Sequence, residues 1–190
     1  RGGTIGRRVG RKLGWQVYGQ DLLEYTAQES NYRPGVFDHL SEAQARWVDE
    51  RLDALIREQS LTQHPSVVSL ARLMLALGSQ GEVLLIGRGA GCVLPRATTL
   101  NVRIIADLKD RIAYLGQYLR LTQEEAAEQV RLRDQNRADF VSTHFHRQPG
   151  DVYQYDLVLN SGLLGEDLCV ELIAHAARAK SAAVWGGGGE

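Results

Sequence analysis

Ile5, Val9 and Leu13 recur at helical spacing, with Arg7, Arg8, Arg11 and Lys12 between them. That stripe predicts a short amphipathic helix, opening on the Gly2-Gly3-Thr4 turn and ended by Gly14. Trp15 to Tyr18 is predicted as a short strand. Residues 20–78 keep the helical period for most of their length. Leu22, Leu23 and Thr26 begin one helix, which Asn31 to Gly35, with Pro34, should break. A second starts at Ser41 and carries Ala45, Val48, Leu52 and Leu55 on one face. His64-Pro65 should break that one. Ser66 should cap a third, containing Val67, Leu70, Met74 and Leu77 and closed by Gly78 and Gly81.

The pattern then changes. Val83-Leu84-Leu85-Ile86 is a continuous apolar run ending in Gly87-Arg88-Gly89, which suits a strand buried on both faces of a parallel sheet. Val102 to Ala106 is a second strand, feeding a helix with Leu108, Ile112 and Leu115 on one face. Thr122 and Glu125 form a capping box for a charged helix running to about Arg133. Residues 134–152 are polar and read as irregular. Tyr155 to Asn160 is a third strand, and Glu166 to Ala179 the closing helix. Strands alternating with helices predict an α/β fold with a parallel sheet. One domain of about residues 1–180 is expected, with 181–190, including the Gly186–Gly189 run, as a flexible tail.

Composition narrows the classes. The 190 residues are 44% apolar and 24% charged, which fits a globular chain. Charge nearly cancels, 22 Lys+Arg against 23 Asp+Glu, so net charge supports neither nucleic-acid nor membrane-surface binding. Cys92 and Cys169 form no CxxC pair and are expected as buried small apolar residues in a reduced, cytoplasmic setting. No apolar stretch reaches the roughly 18 residues that span a bilayer. Trp15, Trp47 and Trp185 make no stacking pattern of the single-strand-binding kind. His144 and His146, two apart in a polar stretch, read as bystanders rather than metal ligands.

Three constellations could carry chemistry. Glycines in Arg1-Gly2-Gly3-Thr4-Ile5-Gly6 let backbone amides approach phosphate, and the Thr4 hydroxyl can reach a magnesium ion. The full G-x-x-x-x-G-K-[ST] pattern is absent, with Gly2 in the lysine position. Arg88, between glycines at the carboxyl end of a buried strand, can fork onto a phosphate or a base carbonyl. Arg133 and Arg137 share a helix face, with Arg131 aimed elsewhere. They could stabilise a transferring phosphoryl group, or pair with Glu124, Glu125, Glu128 and Asp134 as a solvated charged face.

In order along the chain, these pieces resemble the cytidylate kinase-like family: residues 2–9, Leu13-Gly14-Trp15 with Tyr18 and Asp21-Leu22-Leu23, then 83–94, 102–115, the arginines at 131–137, and Tyr155 to Asn160. The resemblance implies a P-loop NTPase three-layer α/β fold with a parallel sheet. A helical monophosphate-binding insertion would span about 19–80 and a lid about 120–150. It places Gly2, Gly3 and Thr4 in the ATP phosphate loop, Thr4 on magnesium, and Arg88 on the acceptor monophosphate. Arg133 and Arg137 would engage the phosphates in flight, with Asp134 beside them at the substrate. The implied activity is ATP-dependent phosphoryl transfer to a small nucleotide acceptor of CMP or dCMP type, without nucleic-acid or membrane partners. Three glycines depart from the cytidylate kinases proper: Gly2 for lysine, Gly89 for the acid after the arginine, and Gly19 for aspartate. They favour the alternative, a nucleotide-binding or regulatory protein on the same fold. The strand that leads into such a loop would lie before Arg1. Residues 1–190 are therefore expected to bind ATP poorly and to leave a slot beside or between the strands at 83–86 and 102–106.

Overall fold

The computed structural model describes residues 1–29 and 35–186. Helix α1 (Gly2–Leu13) leads into strand β1 (Gln16–Tyr18). Helices α2 (Gln20–Glu29), α3 (Glu42–Arg57) and α4 (Pro65–Gln80) follow, then strand β2 (Val83–Leu85) and the short α5 (Ala90–Val93). Strand β3 (Val102–Ile105) feeds α6 (Leu108–Leu119) and α7 (Gln123–Phe145). A single 3₁₀ turn at Val152–Gln154 precedes β4 (Leu157–Asn160) and α8 (Ser161–Gly186). The expected break at 31–35 lies outside the described residues except for Gly35, and 187–190 lie outside them too.

The strands form two parallel pairs rather than one sheet. β1 pairs with β2, Val17 opposite Leu84, and β3 pairs with β4, Arg103 opposite Val158. An opening lies between β2 and β3, lined by Leu84, Ile86, Val102 and Ile104. It leaves β2 only half-buried, so the expectation of a strand covered on both faces is not met.

Each pair has its own core. Leu73, Met74 and Leu75 of α4 pack with Leu23, Val48 and Phe145 in one. Ile5 and Val9 of α1 join Leu159, Cys169 and Ile173 in the other. α1 ties the halves together, because its adjacent face is made of glycine. A β-carbon on Gly6 would stand 2.7 Å from Ile86 Cδ1, and one on Gly10 would overlap Val17.

Four boundaries differ from the sequence reading. α4 begins with His64 as N-cap and Pro65 in the first turn, not with Ser66 as cap; proline is at home there because its missing N–H needs no partner. α7 does not end near Arg133 but continues through 134–145, since no Gly or Pro interrupts it before Pro149-Gly150. The closing helix starts at Ser161, is broken by Gly165 at φ 76°, and runs on past Ala179 to Gly186. Only Leu115 of the predicted α6 stripe is buried, and Leu108 is 59% exposed. Both cysteines are free, Cys169 buried and Cys92 half-buried.

Candidate functional site

A cleft of about 2700 Å³ runs from the slot to the start of α1, the Gly87–Gly89 turn and one face of α7.

At one end stands the N-terminus of α1. Its N-cap, Arg1, offers no side-chain cap, and no acid lies in the first turn. The helical bonding begins with Ile5 N–H donating to Arg1 C=O at 3.0 Å. The amides of Gly2, Gly3 and Thr4 are thus open at the positive end of a helix dipole. The Thr4 hydroxyl lies 3.0 Å from the Tyr114 hydroxyl. The Arg1 guanidinium sits over the Tyr114 ring, 5.1 Å from its centroid.

The same cleft is lined by three successive left-handed residues after β2: Gly87, Arg88 and Gly89, at φ 84°, 54° and 73°. For Arg88 that conformation costs about 1–2 kcal/mol. Its guanidinium pairs with Glu24 of α2 and lies over the Phe140 ring of α7 at 4.8 Å. Its Nε is buried and has no hydrogen-bond partner among the described residues.

α7 spans both ends. Arg137 is 3.8 Å from Asp134, and Asp134 also accepts from Arg111 of α6. Arg111 and Arg137 line the cleft together with Gly2, Gly3 and Thr4. Arg133 lines the cleft, is exposed, and makes no ion pair among the described residues. Arg131 turns away to Glu128 and Gln135. His144 faces Thr62, with Nδ1 3.1 Å from its hydroxyl.

The cleft lining includes Gly2, Gly3, Thr4, Arg88, Arg133, Asp134 and Arg137, all of the sequence-predicted site residues. Sequence reasoning missed Glu24, Arg111, Tyr114 and Phe140. Arg111 had a signal, lying just past the carboxyl end of a strand. Phe140 had one too: it lies three positions beyond Arg137 on a helix that was thought to have ended.

The family model for the cytidylate kinase-like family matches residues 1–163. The chain belongs to that family. In fold it is similar to the crystal structure of an uncharacterized protein from Eubacterium ventriosum ATCC 27560, with a TM-score of 0.63 and 14% identity over 94% of this chain and 92% of that one. It is also 32% identical over 97 residues to a uronate isomerase of Corynebacterium glutamicum. That stretch is 51% of this chain, and the chain spans about a fifth (19%) of the length of that relative.

Proposed function

We propose that this protein transfers the terminal phosphoryl group of ATP to a pyrimidine nucleoside monophosphate of CMP or dCMP type, on a P-loop kinase scaffold. The observation that carries the reading is two cationic poles facing one cleft: the open N-terminus of α1 with Arg111 and Arg137, and Arg88 on its left-handed turn. The first would hold the donor phosphates and the second the acceptor phosphate. An acceptor phosphate oxygen attacks the terminal phosphorus, and the bond to the bridging oxygen breaks, releasing ADP. Positioning and charge neutralisation supply the acceleration. Arg133 and Arg137 close over the transferring group, and Asp134 keeps Arg111 and Arg137 in register.

The residues fit a magnesium–nucleotide: Thr4 offers a hydroxyl oxygen beside open amides, and hard cations take oxygen ligands while keeping several waters. When bound, magnesium would supply positive charge against the phosphates. Gly2 in the lysine position leaves part of that charge to Arg133 and Arg137.

The test is ADP release in the intact protein with a panel of nucleoside monophosphates. Turnover with a pyrimidine monophosphate is expected. Nucleotide binding without turnover would replace the reading by the regulatory one, which Gly2 and Gly89 favour.

A further inference from the structure

We propose that Tyr114 is a positioning residue whose phenol turns the Thr4 hydroxyl toward the cleft. The inference rests on reading Gly2–Thr4 as a phosphate site. A threonine in a helix can return its hydroxyl to a carbonyl three or four residues back. The Thr4 oxygen instead meets the Tyr114 hydroxyl at 3.0 Å, partly buried, across 110 positions of chain. α6 delivers that phenol. Leu115 anchors the helix by burial, and Tyr118 stacks on Tyr114 with centroids 6.0 Å apart and planes 6° apart. The Arg1 guanidinium also lies over the same ring. The ring is therefore fixed by flat contacts that do not involve its hydroxyl.

Either hydroxyl could donate, and we take Tyr114 as the donor. With Tyr114 donating, Thr4 keeps its own proton and a second lone pair. The lone pair suits a divalent cation carried with a nucleotide phosphate. Phenylalanine at position 114 keeps the ring and its stacking and deletes only the donor.

The test is equilibrium binding of ADP to the intact protein, with magnesium and with EDTA. It compares wild type, Tyr114→Phe, Thr4→Val, Thr4→Ser and the Tyr114→Phe/Thr4→Val pair, with a melting temperature for each. Tyr114→Phe is expected to weaken MgADP binding about 3- to 10-fold, the scale of one neutral hydrogen bond. Metal-free binding and the melting temperature stay near wild type. Thr4→Val loses at least as much, the double variant loses no more than Thr4→Val, and Thr4→Ser binds like wild type. Equal MgADP affinity in Tyr114→Phe and wild type would overturn the proposal. So would a loss of the same size in EDTA, which marks a structural role. Thr4→Val binding MgADP like wild type would instead overturn the phosphate-loop reading beneath it.

Discussion

Gly89→Ala tests how the Arg88 turn is fitted to α7. Gly89 is left-handed, at φ 73°, and a β-carbon there would stand 2.7 Å from Phe145 Cδ2 and closer still to Cε2. Phe145 is 2% exposed in a packed core and has little space to retreat. Two costs combine. The left-handed conformation costs an L-residue about 1–2 kcal/mol, and overpacking a core costs about 1–3 kcal/mol. The total is roughly 2–5 kcal/mol. In a chain of this size each kcal/mol lowers the melting temperature by about 2–4 °C, so a fall of roughly 4–20 °C is expected. Gly14→Ala is the control. Gly14 has φ 74° but nothing within 4 Å of its absent β-carbon, so it incurs the first cost alone, about 2–8 °C. The assay is thermal unfolding of both variants, with Phe145→Leu added to each. The smaller side chain should recover part of the Gly89→Ala loss and none of the Gly14→Ala loss. Equal falls for the two glycines, or no recovery with Phe145→Leu, would refute the reasoning. The same contact accounts for glycine where cytidylate kinases proper carry an acid: a carboxylate side chain at 89 would strike Phe145.

Arg88→Ala should cost acceptor binding at least 10-fold, the scale of a lost charged hydrogen bond of about 1.5–3 kcal/mol, with melting within about 4 °C of wild type; a much larger fall would make Arg88 structural. α7 buries only Ala126, Val130 and Phe145 of its 23 residues, so its amides should exchange faster than those of β2 and slow when a bisubstrate nucleotide binds; protection equal to β2 without ligand would rule out a lid. His144 is held below the usual imidazole pKa by burial and by nearby His64. Folding therefore favours its neutral form, and the stability it contributes is present above about pH 6.5 and is lost as pH falls through the lowered folded value. Between pH 7.5 and 5.5 the wild-type melting temperature should fall further than that of His144→Gln; parallel curves would refute this.

The helices were legible wherever period and cap agreed. Ser41 with Gln44 and Thr122 with Glu125 form capping boxes that fixed two starts, and Gly14 at φ 74° fixed one end. The end of α7 was misread because Asp134 to Arg137 carry no apolar stripe. Their support comes from Arg111 across the cleft, a partner that no local pattern encodes. The site followed the same division. Glycines and arginines announced themselves by type and place, whereas Glu24, Tyr114 and Phe140 act through tertiary contacts with Arg88 and Thr4. The split of the strands into two pairs was legible only as a consequence of family resemblance, because Val83–Leu85 and Val102–Ile105 read alike as members of one sheet.

That split has a consequence for how the molecule behaves in company. Among the described residues, β2 and β3 line the opening along edges that no neighbouring strand covers. Proteins usually blunt such edges with proline, bulges or inward charges, because open amides and carbonyls are templates for a foreign strand. Val83-Leu84-Leu85 has none of these, and Val102-Arg103-Ile104-Ile105 has only Arg103, whose guanidinium lies over Tyr155 at 5.5 Å. One extended segment of about four residues could pair with both edges at once, and it would find α1 already lying across the two halves.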